Sequence, residues 1–158
     1  MKARIIGPVA IGVALAADQT SKAIVLRHAD TLSQGVEVVP GFDLVLGRND
    51  GVAFGLLGGA GPWTLVALAA AIVAWLLIAM LRTKRRREAA AYGAVIGGAV
   101  GNVVDRLRHG AVTDFLDFHV AQWHWPAFNV ADVAIVCGVA GILLFDLTRE
   151  RGAKPSRS

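Results

Sequence analysis

The chain has 158 residues, of which 55% are apolar and 18% are charged. This length fits one domain, and the shortage of charge excludes an ordinary soluble domain in favour of a membrane protein. The formal net charge of +4 does not indicate nucleic-acid binding, because the basic residues stand in clusters beside apolar stretches, and a single cysteine, Cys137, excludes an intrachain disulfide.

The apolar stretches predict one membrane domain over residues 1–158 with four transmembrane helices, at about 4–26, 58–81, 88–107 and 127–148. The span at 58–81 is the clearest, because it carries no charge and exceeds the roughly 20 residues that cross a bilayer. The other three carry polar groups at or near one end. An outer β segment is expected at about 35–57 and a basic C-terminal tail at 149–158.

The first helix has an alternative interpretation. Lys2 and Arg4, the apolar run after them and the A-L-A triplet at 14–16 are also typical of a cleaved secretory signal peptide. Removing that segment would leave three crossings and place the two remaining basic clusters on opposite sides of the membrane. We therefore predict that this segment is a retained transmembrane helix.

Three basic clusters predict the orientation in the membrane. The positive-inside rule places such clusters in the cytoplasm. Four crossings then put both termini in the cytoplasm, with residues 27–57 and 107–126 facing outward. The clusters precede the first helix, separate the second from the third and follow the fourth, and their members are Lys2, Arg4, Arg82, Lys84, Arg85, Arg86, Arg87, Arg149, Arg151, Lys154 and Arg157.

The first outer segment predicts a small sheet on the membrane surface. Three valines precede a Pro-Gly turn signal at 40–41, and Phe42, Leu44 and Leu46 then alternate with other residues as in a half-buried strand. Residues 49–55 follow, with glycines at 51 and 55. We expect this glycine-bounded segment to form a mobile flap over a site.

Charged residues inside apolar spans need a reason, because each costs about 3 kcal/mol at mid-membrane. Asp18 and Lys22 are four residues apart on one helix face. This spacing predicts either a structural ion pair or a direct role in an active site. Asn102, Asp105 and Arg106 share a face of the third helix and are expected to form a hydrogen-bonded cluster near its outer end.

Asp114 and Asp132 form a candidate catalytic pair. Asp114 lies in an apolar outer segment and Asp132 about one turn into the fourth helix, so the predicted topology puts both near the outer interface. Two carboxylates that share a site hold a single proton. One can act as a base on a water while the protonated one polarises a scissile carbonyl. Asp117 is a competing candidate, although we expect it to face water or lipid headgroups.

Other functions are open alternatives. The sequence has no paired metal-ligand spacing such as H-E-x-x-H. His119 and His124 with Asp117 are the best candidates for a metal site, but Trp123, His124 and Trp125 are more typical of an interfacial aromatic belt. Intramembrane charges also mark ion pathways, so a small transporter or channel subunit is the alternative to an enzyme, and a non-catalytic scaffold is a third hypothesis.

The polar motifs together resemble those of the bacterial lipoprotein signal peptidase family, signal peptidase II. D-Q-T-S-K at 18–22 resembles D-Q-x-[ST]-K, and N-D-G-V-A-F-G at 49–55 resembles N-x-G-x-A-F-G. G-G-A-V-G-N-V-V-D-R at 97–106 resembles G-G-A-x-G-N-x-x-D-R. V-T-D-F at 112–115 resembles V-x-D-F, and F-N-V-A-D at 128–132 resembles F-N-x-A-D. The departures, Thr113 for a common valine and Val133 for a common serine, do not touch a catalytic carboxylate.

The resemblance implies an all-α membrane protein with four transmembrane helices and a small extracytoplasmic β-sheet cradle, in the bacterial cytoplasmic (inner) membrane. It implies cleavage of diacylglyceryl-modified prolipoproteins just before the lipidated cysteine, with Asp114 and Asp132 as the catalytic pair and globomycin, a cyclic peptide, as inhibitor. We expect contact with membrane lipids, a monomer, and no cofactor, metal or nucleic acid. The residues that the resemblance implies as lining or supporting the site are Asp18, Lys22, Asn49, Gly51, Asn102, Asp105, Arg106 and Asn129.

Overall fold

The computed structural model describes residues 2–51 and 62–152. Four long helices form a bundle, and a small sheet covers one end of it. In chain order the elements are α1 (Ala3–Arg27), α2 (Ala29–Leu32), β1 (Val36–Val39), β2 (Phe42–Asn49), α3 (Pro62–Arg82), α4 (Arg86–His109), β3 (Val112–Val120), β4 (Trp123–His124) and α5 (Val130–Gly152).

Helix α4 is the central helix, because it packs against α1, α3 and α5. Glycines let the backbones approach closely. A Cβ atom at Gly97 would lie 2.6 Å from the carbonyl oxygen of Ile11 in α1, and a Cβ atom at Gly98 would lie 2.4 Å from the carbonyl oxygen of Ala131 in α5. Side-chain carbons do not come this close to carbonyl oxygens, so both neighbours depend on glycine. Gly97 and Gly98 therefore allow α4 to pack closely against α1 and α5.

Three helices in the described ranges are long and apolar enough to cross a membrane, namely Ala3–Arg27, Trp63–Arg82 and Val130–Thr148. They confirm the predicted membrane class. Helix α4 is not among them, because it begins with Arg86 and Arg87 and is rich in glycine and polar residues. It is also the helix with the most buried positions, nine between Ala89 and Asp105, so little of its surface has to match lipid. A fourth crossing stays a prediction.

The sheet has the strand order β1-β2-β3-β4, and its neighbouring strands are antiparallel. The predicted turn joins β1 to β2, and Gly41 adopts a φ of 87° there, a conformation that glycine reaches without strain. Phe115 of β3 packs with Val25 and Leu32, which holds the sheet against the end of α1. The small sheet predicted from the sequence is therefore confirmed.

Strands β3 and β4 were not predicted. Residues 107–126 are predicted only as an outer segment, whereas β3 is the longest strand described. Successive residues of a strand face opposite sides, so Asp114 and Phe118 share one face while Phe115 and Asp117 share the other. Each face carries both apolar and acidic residues. The alternation of polarity that identifies a strand is therefore absent from this sequence.

The short helix α2 was also not predicted. Parts of four predicted segments lie outside the described residues: positions 52–57 of the outer β segment, positions 52–55 of the flap, the start of the second predicted helix at 58–61, and positions 153–158 of the basic tail. The predicted flap is described only over residues 49–51.

Candidate active site

Polar residues from several elements meet at the end of the bundle where the sheet lies. They come from the second half of α1, the end of β2, the last turns of α4, the start of β3 and the start of α5. These residues are Asp18, Gln19, Lys22, Asn49, Asn102, Asp105, Asp114, Asn129 and Asp132.

Lys22 lies between two buried carboxylates. Its Nζ atom is 3.0 Å from Asp18 Oδ1 and 3.2 Å from Asp105 Oδ2. Asp18 is fully buried, and Lys22 and Asp105 are each 2% exposed. The ion pair predicted from the i, i+4 spacing of Asp18 and Lys22 is present, and Asp105 of α4 joins it. We call these three residues the ion triad.

Neutral donors complete the ion triad and connect it to α5 and β3. The backbone N–H of Ala131 donates to Asp18 at 3.1 Å, and that of Thr113 donates to Asp105 at 3.0 Å. The Gln19 amide donates to Asp18 at 3.1 Å and to Asp105 at 3.2 Å. Sequence reasoning assigned no role to Gln19. The signal that could have found it is its fixed place in the D-Q-T-S-K motif at 18–22.

Asp114 and Asp132, which we call the aspartate pair, accept hydrogen bonds from amides among the described residues. Asn129 Nδ2 donates to Asp114 Oδ1 at 2.6 Å, and Asn49 Nδ2 donates to Asp114 Oδ2 at 3.0 Å. Asn102 Nδ2 donates to Asp132 Oδ1 at 2.9 Å, and the Asn129 backbone N–H donates to Asp132 Oδ2 at 3.1 Å. Asn129 thus bonds both carboxylates, so the fold brings the two predicted residues to one place.

Asn102 connects the ion triad to the aspartate pair. Its Oδ1 atom accepts from Lys22 Nζ at 3.0 Å and from Asn129 Nδ2 at 3.3 Å, while its Nδ2 atom donates to Asp132. An ammonium group can only donate a hydrogen bond and an ionised carboxylate can only accept one. The orientation of the Asn102 amide is therefore fixed, and Lys22 positions a donor for Asp132 without touching it.

The two carboxyl groups of the aspartate pair differ in environment. Asp114 is 4% exposed. Burial raises the pKa of its carboxyl above the ordinary value, hydrogen bonds from Asn49 and Asn129 oppose the rise, the charge of Asp132 adds to it, and the charge of Lys22 opposes it. The net direction is upward. Asp132 is more accessible to solvent than Asp114.

Cavities open on both members of the aspartate pair. A cavity of about 280 Å³ is lined by Asp114 together with the polar end of β2, including Asn49 and Asp50. A larger cavity of about 410 Å³ is lined by Asp132 and by apolar residues such as Phe128 and Val136. The aspartate pair therefore lies between a polar cavity and an apolar one.

A tight turn positions Asn49. The Gly51 backbone N–H donates to Asn49 Oδ1 at 3.0 Å, which leaves the Asn49 NH₂ group to bond Asp114. Gly51 has a φ of 98°, in the region that favours glycine. Two residues of the predicted flap segment are thus in place beside Asp114, and glycine at position 51 makes the turn possible.

One residue behaves differently from the expectation, and another follows it. Arg106 was expected in a hydrogen-bonded cluster with Asn102, and among the described residues it donates to the backbone oxygen of Asn102 at 3.4 Å. Asp117 does not face water: it is 8% exposed, and its Oδ2 atom lies 2.8 Å from His124 Nδ1. The expectation was wrong because β3 turns Asp117 to the face opposite Asp114, against the rest of the protein. Within residues 2–51 and 62–152, no group of three or more potential ligands is arranged to hold a metal ion.

Comparisons with known proteins agree with this arrangement. A family model described as signal peptidase (SPase) II matches residues 10–148. The lipoprotein signal peptidase of Methylorubrum extorquens (strain PA1) is 43% identical over 145 residues, which cover 89% of this chain and 85% of the relative. The lipoprotein signal peptidase of Anaplasma phagocytophilum (strain HZ) is 37% identical over 155 residues, which cover 94% of this chain and 96% of the relative.

Solved structures share the fold. A bacterial membrane enzyme determined by the in meso method at 2.3 Å resolution superposes with a TM-score of 0.81 at 25% sequence identity, over 96% of this chain and 93% of that chain. A second bacterial membrane enzyme, at 1.9 Å resolution, gives a TM-score of 0.79 at 26% identity, over 89% of this chain and 92% of that chain. The family match and the relatives cover most of the chain, and the protein therefore belongs to the signal peptidase II family.

Proposed function

We propose that this protein cleaves the signal peptide from diacylglyceryl-modified prolipoproteins just before the lipidated cysteine, with Asp114 and Asp132 as the catalytic pair. Membership of the signal peptidase II family supports a peptidase over a transporter, a channel subunit or a scaffold. The observation that carries the mechanism is that Asn129 bonds both carboxylates, between a polar and an apolar cavity.

The proposed chemistry divides the work between the two carboxyl groups. Ionised Asp132 takes a proton from a water molecule, and the resulting hydroxide attacks the scissile carbonyl carbon. Protonated Asp114 hydrogen-bonds the carbonyl oxygen and stabilises the negative charge that develops there. The C–N bond then breaks, and the proton held by Asp132 passes to the leaving amine. The upward direction of the Asp114 pKa supports this assignment, because it favours the protonated form of the acid.

The position of the aspartate pair suits a substrate that is anchored in lipid. Such a substrate reaches the enzyme laterally, within the bilayer. The apolar cavity beside Asp132 is lined along α5 by Val133, Val136 and Cys137, so acyl or apolar peptide groups can contact it while the scissile bond meets the carboxylates. The polar cavity beside Asp114 gives water a route from the other side.

We propose that the aspartate pair lies near the outer face of the cytoplasmic membrane, with both termini in the cytoplasm. The basic residues Arg85 to Arg87 stand at the start of α4, and Asn102 and Asp105 stand near its other end. The site and this basic cluster are therefore at opposite ends of the bundle, as the positive-inside rule requires. Cysteine labelling at position 85 on a Cys137→Ala background should succeed only from the cytoplasmic side, and labelling from outside would contradict this topology.

Cleavage of a purified precursor tests the function. In detergent, the full-length protein should convert a diacylglyceryl-modified prolipoprotein into a product whose first residue is the lipidated cysteine, as read by mass spectrometry. The matched control is the same precursor without its diacylglyceryl group, which should be cut much more slowly. We expect a monomer to be active and globomycin to inhibit it. Equal cleavage of both precursors would contradict the proposed substrate class.

A further inference from the structure

A third cavity lies at the end of the bundle that is farthest from the aspartate pair. It has a volume of about 440 Å³ and lies between the start of α4 and the last turns of α5. Its lining combines three consecutive arginines with one acid, one aromatic ring and one hydroxyl group: Arg85, Arg86, Arg87, Glu88, Phe145 and Thr148. The proposed peptidase chemistry does not use any of these residues.

The charges around this cavity are unbalanced. Glu88 is already engaged, since it accepts from the Thr83 hydroxyl and lies 3.1 Å from Arg85 Nη1. Among the described side chains, Arg86 and Arg87 make no hydrogen bond or ion pair. Asp146 is close in sequence but does not line the cavity. Among the described residues, the cavity therefore presents two guanidinium groups that no acid pairs with.

The local backbone increases this positive potential. Arg86 and Arg87 occupy the first turn of α4, where the helix dipole is positive, and the N-cap residue Arg85 provides no side-chain cap. Cations are unfavourable at this position of a helix, and anions are favourable. A bound anion would offset both the dipole and the arginine charges. Arginine is also the side chain best suited to phosphate, because its planar group donates two parallel hydrogen bonds.

The position of the cavity along the membrane-spanning helices indicates the kind of anion. The apolar stretch of α5 that can cross a membrane ends at Thr148, and α3 ends at Arg82. Thr148 lines the cavity, so the cavity lies where hydrocarbon gives way to phospholipid headgroups. The ring of Phe145 forms an apolar wall on the bilayer side of it. A phospholipid whose chains run along α5 would place its phosphate among the arginines.

We propose that this cavity, which we call the arginine cavity, binds the headgroup of an anionic phospholipid. The positive-inside rule alone requires basic residues in this connection but does not require them to line a cavity with α5. Basic pockets between transmembrane helices are a known form of lipid-headgroup site. The proposal is independent of the peptidase assignment, because it depends on other residues at the other end of the protein.

Lipid binding to the delipidated full-length protein tests the proposal. Phosphatidylglycerol should bind and raise the unfolding temperature, whereas phosphatidylcholine with the same chains should bind much more weakly, as measured by native mass spectrometry and thermal unfolding in detergent. Arg86→Gln with Arg87→Gln should weaken phosphatidylglycerol binding roughly ten-fold or more. The matched control is Arg82→Gln with Lys84→Gln, which removes the same charge from the same connection but does not alter the arginine cavity.

Several outcomes would overturn the proposal. Equal losses in both double variants would show a diffuse charge effect, and equal binding of phosphatidylcholine would show that charge is not recognised. Inorganic phosphate that stabilises the protein as strongly as the lipid would identify a free anion as the occupant. Cleavage of the lipidated precursor by each variant reports that the protein is folded, so a loss of lipid binding in an active variant is a specific result.

Discussion

The ion triad and the aspartate pair are two acidic sites that a single residue, Asn102, connects, yet they have different partners. Asp18 and Asp105 face the ammonium of Lys22 at 3.0 and 3.2 Å. Asp114 and Asp132 face amide groups. Amides orient a carboxylate without neutralising it, so the second site keeps carboxyl groups that can exchange protons.

The different partners indicate different roles: a structural role for the ion triad and a chemical role for the aspartate pair. A buried carboxylate and its cation hold each other in place. Removal of one partner lowers the free energy of unfolding, because the other charge is left buried and unpaired. Two carboxyl groups held by neutral donors can share one proton, which acid–base chemistry requires. Asn102 joins the two sites, because it bonds both Lys22 and Asp132. The rigid site can thereby orient the reactive one.

Changes to the aspartate pair should have the largest effect on activity. Asp114→Asn and Asp132→Asn keep the side-chain volume but remove the ionisable group. Each should lower cleavage of the lipidated precursor by roughly 10³-fold or more, because the base or the acid is lost. Both variants should extract and fold, with a yield and an unfolding temperature no lower than those of wild type. Near wild-type cleavage by either variant would disprove the aspartic mechanism.

Changes to the ion triad should affect stability first. Lys22→Met leaves two buried carboxylates, Asp18 and Asp105, without their cation. It should lower the free energy of unfolding by about 3–5 kcal/mol, as expected for a broken buried ion pair. Thermal unfolding in detergent measures the loss.

A second variant distinguishes a lost cation from a lost side chain. Adding Asp18→Asn and Asp105→Asn to Lys22→Met removes all three charges and should recover much of the stability. If Lys22→Met unfolds like wild type but loses activity, the ion triad has a chemical role and the contrast between the two sites fails.

Part of this contrast was visible in the sequence. The i, i+4 spacing predicted that Asp18 and Lys22 pair, because both residues lie on one helix. Contacts between separate elements could not be predicted in this way. Nothing in the local sequence showed that Asp105 would pair with Lys22, or that Asn49 would donate to Asp114. Motif resemblance named these residues as supporting ones, but their partners depend on how the strands and helices meet.

Gly101, β3 and Gln19 show what local patterns cannot predict. A Cβ at Gly101 would lie 2.3 Å from Asp18 Oδ2, so this glycine makes room for the ion triad. Strand β3 carries Asp114, and its faces mix apolar and acidic residues, so periodicity did not identify it as a strand. Gln19 belongs to a motif quoted above, but the motif does not show that its amide bridges two carboxylates.

The pH dependence of stability offers a smaller test of Asp114. Its folded-state pKa is raised above the ordinary value of 3.8, so the stabilisation from its protonated form is fully present below that value. It is lost as the pH rises through the folded pKa. Asp114→Asn has no such group and should be more stable than wild type near neutral pH, with a flatter dependence of unfolding temperature on pH.

The control for this test is an exposed acid. Asp30 lies in α2 and is exposed, so Asp30→Asn should leave the pH dependence unchanged. If Asp114→Asn follows the wild-type curve at every pH, burial does not perturb this carboxyl, and the assignment of Asp114 as the acid loses its support.

Substitution of Asp117 should have the smallest effect on stability and turnover. It is the most direct comparison for Asp114, because both residues lie on β3. It is 8% exposed, and it contacts His124, a side chain that is itself half exposed. Asp117→Asn keeps a hydrogen-bond acceptor for His124, so we expect a loss of stability of about 1 kcal/mol or less and turnover within about two-fold of wild type. The precursor-cleavage assay and thermal unfolding measure both quantities on the same sample. His124→Gln should reproduce the stability loss, since it removes the other partner. An inactive Asp117→Asn that remains folded, beside an active Asp114→Asn, would show that the catalytic carboxyl of β3 lies on its opposite face.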